Sequence, residues 1–335
     1  MLNAMNDATT EILLESYIFA LDSVGARFIE MLNHKAKQGL KIKLHLDAVG
    51  SQFIKMGPSL KKQLDERIQL KWFHRWSWRR PWQFNIRDHR KLLIVDSNQV
   101  FLGGFNIHKQ SSLIYFGDLR WRDSHIKIEG EIVEHFRRYF ITFWHKRGQH
   151  YLGPLEKIDL VPNLSFRCRY LLRCKLKSHI DKAQSNIFCT TPYFVPDEFV
   201  IKALIEAAKR GVDVRLLVPF ESDHALVNAL ANRYYFRLIE SGIKVFAYLP
   251  RMIHAKTIII DSRTAMIGSA NLDYRSLFIN YELVCFFHSK SLALSMTKAF
   301  LNDCQQSMIV TRKTKFKITK WWLLRPLAAL LKHWI

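Results

Sequence analysis

Two stretches of this 335-residue chain carry residues whose types and spacing suit displacement at a phosphodiester. Residues 89–106 read HRKLLIVDSNQVFLGGFN, and residues 254–271 read HAKTIIIDSRTAMIGSAN. Both fit the pattern H-x-K-x4-D-x6-G-[GS]-x-N. The first copy supplies His89, Lys91, Asp96, Gly103, Gly104 and Asn106; the second supplies His254, Lys256, Asp261, Gly268, Ser269 and Asn271. Displacement at phosphorus needs a nucleophile, an acid for the leaving oxygen, and groups that hold the charge on the phosphoryl oxygens. Histidine can be nucleophile or acid near neutral pH. Lys91, Lys256, Asn106, Asn271 and Ser269 can hold the developing charge. Two histidines on opposite sides of one phosphorus suit in-line attack. One forms a phosphoryl-histidine; the other protonates the leaving alcohol, then deprotonates the incoming one. This chemistry requires no metal, and no acidic cluster in the sequence resembles a magnesium site. No metal and no cofactor are therefore expected.

A single His-x-Lys pair on a strand is ordinarily a surface pair. Two copies that share their Asp, Gly and Asn spacings, inside a repeated architecture, are not explained that way. His and Lys two apart on a strand share a face. The runs LLIV and TIII between Lys and Asp are apolar throughout, as in a buried strand, which puts the polar pair at the mouth of a sheet. A nucleophilic imidazole also needs its other nitrogen held by an acceptor. Asp123, in WRDSHIKIEG, and Glu282, in NYELV, are placed for this, each expected on a strand after a Gly-containing turn. Asp96 and Asp261 are counted with the catalytic motif, although orienting the fold is the alternative weighed for them.

The elements that position these residues also occur twice. ILLESYIF at 12–19 matches IFCTTPYFVP at 187–196. GLKIKLHLD at 39–47 matches GVDVRLLVP at 211–219, each a helix stop followed by a strand. IQLKWF at 68–73 matches IKVFAY at 243–248, and the two motifs close the series at an offset of 254 − 89 = 165. Alternating strands and helices predict an α/β fold of two pseudo-symmetric α-β-α halves. Mixed, largely parallel sheets are expected, with the active site at the interface of the halves. The halves are expected at 1–155 and 156–310, followed by a tail at 311–335. The boundary falls in 150–180, where LGPLEKIDLVPN reads as a linker. Few residues precede the first strand of the first half, so an edge strand is expected to be missing there if the start is truncated.

Composition narrows the partners. Lys+Arg total 51 against 29 Asp+Glu, a formal charge of +22, which calls for a polyanion: nucleic acid or an anionic membrane. The five cysteines form no CxxC pair and read as free thiols in a reducing compartment. The N-terminal stretch lacks the basic region of a signal peptide, and no run reaches the ~18 apolar residues of a membrane span.

The doubled HxKxxxxD motif resembles the signature of the phospholipase D superfamily. Further segments resemble its bacterial cardiolipin synthase branch: NIRDHRK at 85–91, WRD at 121–123, TPYFVPDE at 191–198, Pro219 to Asp223, and HAK…GSANLDYRS…NYE at 254–282. The resemblance covers nearly the whole chain. It implies that His89 and His254 are the catalytic pair and that Lys91, Lys256, Asn106 and Asn271 bind phosphate, with Ser269 beside them. Asp123 and Glu282 would support the histidines. The first copy departs from the second in carrying Gly104 where Ser269 stands, which makes the phosphate contacts unequal. The two membrane-spanning helices found at the start of one branch are not seen here.

The implied activity is a phosphatidyltransferase. A phosphatidyl group passes from a donor phospholipid through a phosphohistidine to phosphatidylglycerol, giving cardiolipin. The alternatives are a hydrolase of the same superfamily and a nuclease. The tail TRKTKFKITKWWLLRPLAALLKHWI argues for lipid and makes nucleic acid an unlikely partner. Beyond Pro326, Leu327, Leu330, Leu331 and Trp334 share one helical face, read as an interfacial anchor, with a helix packed on the body as the alternative. Peripheral association with the cytoplasmic face of the cytoplasmic membrane is expected. KWFHRWSWRRPWQF at 71–84 is either a second interfacial segment or a loop whose tryptophans are core.

Overall fold

A computed structural model describes residues 1–145, 157–163, 166–223 and 225–314. The chain divides into two units. Among the described residues, the first holds 1–120 and 125–145; the second holds 121–124 and everything from 157 onward.

The first unit runs α1 (Leu2–Asn6), β1 (Glu11–Ser16), α2 (Ser23–Lys37), β2 (Lys41–Asp47), α3 (Phe53–Gln63), β3 (Gln69–Phe73), β4 (Leu92–Val95), β5 (Gln99–Gly103), α4 (Leu113–Phe116), β6 (His125–Glu129) and α5 (Val133–Trp144). Its sheet has the order β3-β2-β1-β4-β5-β6. β1, β2 and β3 are parallel, as their crossover helices require, whereas β4, β5 and β6 are antiparallel neighbours. Helix α2 starts at Asp22, whose carboxylate accepts the Val24 and Gly25 N–H groups. It stops before Gly39, which takes φ +89°, a conformation that costs glycine little. Leu93 and Val95 of β4 join a core with Leu32 and Ala36 of α2. By strand alternation Leu92 and Ile94 point to the other face, where α5 packs on β4 and β5. Burying one such side chain contributes roughly 1.5–3 kcal/mol, so the strand behind each motif is a rigid base.

The second unit runs β7 (Ile158–Asn163), α6 (Phe166–Lys182), β8 (Asn186–Thr190), β9 (Phe194–Val195), α7 (Glu198–Lys209), β10 (Asp213–Pro219), α8 (Ala225–Glu240), β11 (Lys244–Tyr248), β12 (Thr257–Ile260), β13 (Thr264–Gly268), β14 (Leu272–Asp273), α9 (Tyr274–Phe278), β15 (Glu282–Phe287), α10 (Lys290–Gln305) and β16 (Ser307–Ile309). The main sheet is β16-β11-β10-β8-β12-β13-β15-β7. Its middle six strands repeat the order of the first sheet, with β8 in the place of β1 and β12 in that of β4. β7 and β16 are additions at its two edges.

Three expectations change. The sheets are mixed but not largely parallel: only three adjacent strands of each run parallel. The reason is local. The motif strands β4–β5 and β12–β13 are hairpins, closed by turns in which Asp96 and Ser97, and again Asp261 and Ser262, take positive φ. Second, IDLVPN is no linker; it is the edge strand β7, paired along its length with β15. Third, Asp123 precedes β6 rather than lying on it. The tail reading at 315–335, including Leu327, Leu330, Leu331 and Trp334, lies outside the described residues. No helix among the described residues is long and apolar enough to cross a membrane.

Candidate functional site

Each motif places its histidine and lysine just before a buried strand and its asparagine just after the next one. In the first unit, His89 and Lys91 precede β4 and are buried. Lys91 Nζ donates to the His89 carbonyl at 2.6 Å. The Tyr17 ring, beyond the end of β1, meets the His89 imidazole edge-on at 4.9 Å and lies 5.2 Å from Lys91 Nζ. Asn106, beyond β5, accepts the Ile18 N–H at 3.3 Å. These residues belong to one edge of the sheet.

The second unit repeats the arrangement and completes it. Lys256 Nζ donates to the His254 carbonyl at 2.6 Å. His254 Nδ1 donates to Asp123 Oδ2 at 2.7 Å, and the Trp121 ring lies 4.9 Å from the imidazole. Asp123 sits in residues 121–124, which pack with the second unit although they interrupt the first in sequence. Arg122 secures this strap. Its N–H donates to the Met252 carbonyl, its own carbonyl accepts the His254 N–H, and its guanidinium pairs with Asp303 of α10 at 2.9 Å. Burial of Asp123 opposes its ionisation, but the His254 ring and the Lys256 ammonium outweigh this and hold its pKa below the ordinary value. The carboxylate is therefore the acceptor of the Nδ1 proton. Burial also lowers the Lys256 pKa to about 8, with Asp123 and Glu282 opposing the shift.

Glu282 and Ser269 are fully buried and bonded to each other. Ser269 also accepts the Leu283 N–H at 3.0 Å. Its visible work is to orient Glu282. Gly268 must be glycine, because a Cβ there would stand 2.4 Å from the Leu283 carbonyl oxygen. Asn271 Nδ2 donates to Asp273 at 2.9 Å, while its Oδ1 is buried without a partner.

Asp96 and Asp261 stand apart from the histidines and serve the backbone, in keeping with the fold-orienting role weighed for them. They lie at the far end of the motif strands, about 20 Å of extended chain from the histidines. Asp96 accepts the N–H groups of Thr9, Thr10 and Glu11 and both threonine hydroxyls. Asp261 accepts the N–H groups of Gln184, Ser185 and Asn186 and the Ser185 hydroxyl. Partial burial opposes the charge, but these backbone donors prevail; the Asp96 pKa falls to about 2 and the Asp261 pKa also falls. Each aspartate fastens the start of the central strand of its sheet.

A buried ionic layer beside His89 was assigned no role from the sequence, although Asp88 and Arg90 stand in NIRDHRK. Arg90 is 0% exposed. Its guanidinium reaches Glu15 at 2.7 Å and Asp88 at 2.8 Å and stacks 3.7 Å over the Phe143 ring. His45 Nδ1 lies 3.0 Å from Glu15. Burial raises the Glu15 pKa to about 7 against the pull of Arg90, while Arg90 holds Asp88 in the charged form. Glu15, His45 and Asp88 are a donor set of a kind that holds cations, but Arg90 already supplies the positive charge between the carboxylates. By the motif offset and strand pairing, the second unit has Ile253, Ala255, Thr190 and Leu217 at the corresponding places. Three of these belong to an apolar core under α10. The signal was in the sequence, as Arg90 against Ala255, but only as a difference between the copies.

Comparison with known proteins agrees with this arrangement. Residues 1–144 and 176–304 match the family model described as cardiolipin synthase, PLD-like domain. The cardiolipin synthase of Clostridium perfringens is 33% identical, over 93% of this chain and 69% of its own length. That of Listeria monocytogenes is 31% identical over 95% of this chain and 68% of its own. Among solved structures, the phosphatidylserine synthase of Haemophilus influenzae superposes with a TM-score of 0.73 at 13% identity, over 100% of this chain and 92% of that one. The polyphosphate kinase of Porphyromonas gingivalis reaches 0.63 at 12% identity, over 99% of this chain and 51% of that one. These two likenesses concern the fold. A doubled motif on a repeated sheet, matched along both halves by one family model, leads to one statement: the chain belongs to the phospholipase D-like cardiolipin synthase family.

Proposed function

We propose that this phosphatidyltransferase makes cardiolipin, with phosphatidylglycerol as acceptor and His89 and His254 as the catalytic pair. The observation that carries the reading is the recurrence of one buried His-Lys-Asn arrangement in both units, in a chain 33% identical to a cardiolipin synthase along most of its length. One imidazole attacks the phosphorus of the donor phospholipid. A P–N bond forms, and the bond from phosphorus to the headgroup oxygen breaks. The second imidazole gives its proton to that oxygen. The acceptor hydroxyl then loses its proton to the second imidazole and attacks, and the P–N bond breaks. Lys91, Lys256, Asn106 and Asn271 hold the phosphoryl charge. Asp123 and Glu282 are the supporting carboxylates, and Ser269 acts through Glu282.

We place the protein at the cytoplasmic membrane, associated peripherally with its cytoplasmic face, where both substrates reside. The domain division proposed is 1–155, 156–310 and the basic tail 311–335. The test is product analysis with the purified full chain and vesicles of labelled phosphatidylglycerol. Cardiolipin with free glycerol is expected, and none from His89→Ala or His254→Ala. Phosphatidic acid as the only product would replace the reading with a hydrolase. DNA cleavage without any lipid turnover would replace it with a nuclease.

A further inference from the structure

The first unit exposes its large apolar side chains at a single edge. β1, β2 and β3 are parallel, and β5 runs with them because β4 is antiparallel to both β1 and β5. The chain therefore leaves β1, β2, β3 and β5 at the same edge at which it enters β4, and His89 lies at that entry. Two long loops emerge there, one from β3 to β4 and one beyond β5. The first carries Trp76, Trp78 and Trp82, exposed by 46%, 86% and 66%; the second carries Leu113, Ile114 and Leu119, exposed by 54%, 76% and 68%. The unit's two remaining exposed large hydrophobics among the described residues, Val49 and Tyr115, emerge from the same edge. Surface hydrophobics scattered singly are ordinary, but a set gathered on one edge marks an interaction surface.

The tryptophan loop is neither core nor loosely attached. Arg87, two residues before His89, is buried and donates to the carbonyls of His74 and Gln83 while its guanidinium lies 5.0 Å from the Phe84 ring. Trp76 packs edge-on against Trp78 and Phe84. The loop is thus tied to the segment that carries His89. Exposed Arg75, Arg79 and Arg80 lie among the tryptophans.

We propose that this edge of the first unit docks on an anionic phospholipid bilayer, with the tryptophans and the 113–119 loop entering the interface on either side of the His89 mouth. The inference rests on the reading of the protein as a lipid-metabolising enzyme and assigns the surface through which that site meets its substrate. Tryptophan and arginine suit the headgroup region. Leu113, Ile114 and Leu119 suit the acyl boundary and offer nothing to a nucleic acid, whose bases need stacking and whose phosphates need charge. A second copy of a +22 chain, or the chain's own basic tail, would bring arginine and lysine against these arginines.

The experiment is cosedimentation of the full chain with vesicles of phosphatidylglycerol, of phosphatidylcholine, or with a DNA duplex. It compares the wild type with the combined variant Trp78→Ala, Trp82→Ala, Ile114→Ala and Leu119→Ala. An unchanged thermal unfolding midpoint shows that the variant is folded. We expect a loss of at least about tenfold in partition onto phosphatidylglycerol. We also expect a loss of about fivefold for each of Arg75, Arg79 and Arg80 changed to Gln. Unchanged partition, equal binding to phosphatidylcholine, or a loss confined to DNA would overturn the proposal. Binding is read without turnover. If the wild type makes no cardiolipin but the variant still loses vesicle binding, the transferase reading fails and the docking surface stands.

Discussion

His254 Nδ1 donates to Asp123 Oδ2 at 2.7 Å, although 131 residues separate the two and Asp123 follows the first motif, not the second. The strap that carries Asp123 is held by the Arg122–Asp303 pair and by backbone bonds to Met252 and His254, so α10 and the chain before β12 help to set the carboxylate position. An imidazole held this way keeps one orientation and one tautomer.

Asp123→Asn keeps the shape of the side chain and removes its charge. Turnover should fall roughly 10²- to 10⁴-fold, in kcat more than in KM, with no change in the thermal unfolding midpoint. Asp123→Glu should recover part of the loss. An Asn variant that turns over normally would remove Asp123 from the mechanism.

Asp96→Asn and Asp261→Asn should behave in the opposite way. Each loses charge-assisted bonds to the backbone at the start of a central strand, at a cost of about 1–3 kcal/mol, while asparagine still tolerates the positive φ. The melting temperature should drop by several degrees, with kcat nearly intact at temperatures where the protein stays folded. The Asp96 pKa is depressed in the folded state, so its contribution is complete above the ordinary value of 3.8 and disappears as pH falls toward 2. Wild type and variant should therefore converge in acid. A large kcat loss in a folded variant would restore these residues to the catalytic set.

Glu15 has the reverse sign. Its folded pKa is raised from 4.5 to about 7, so the fold favours its protonated form. That contribution is complete below about pH 4.5 and is lost as pH rises through 7. Asp88 titrates below its ordinary 3.8 and adds nothing in this window. Glu15→Gln keeps acceptor and donor atoms near His45 and Arg90 and cannot ionise. The difference in melting temperature between wild type and this variant should therefore change steadily between pH 4.5 and 7. A constant difference across that range would show that Glu15 is ionised throughout.

The sequence by itself determined the repeat, the order of its elements along the chain and the recurrence of the His-Lys-Asn spacing. These are properties of local pattern: apolar runs of strand length, glycines at helix ends, and motif spacing all act within a few residues. Tertiary structure alone decided the rest. Asp96 and Asp261 were counted with the motif while a fold-orienting role was weighed for them, because spacing along a strand is the same whichever end is used; the pairing with residues 9–11 and 184–186 shows that they serve the opposite edge. IDLVPN looked like a linker because proline and asparagine punctuate turns, yet proline is tolerated at a sheet edge, and β15 needed a partner. The Arg90–Glu15–Asp88–His45 layer showed in the sequence only as a difference between the copies, because its members come from three separate strands or their ends. Burial makes them one electrostatic unit, and burial is set by how α5 packs on the sheet, which no local pattern encodes.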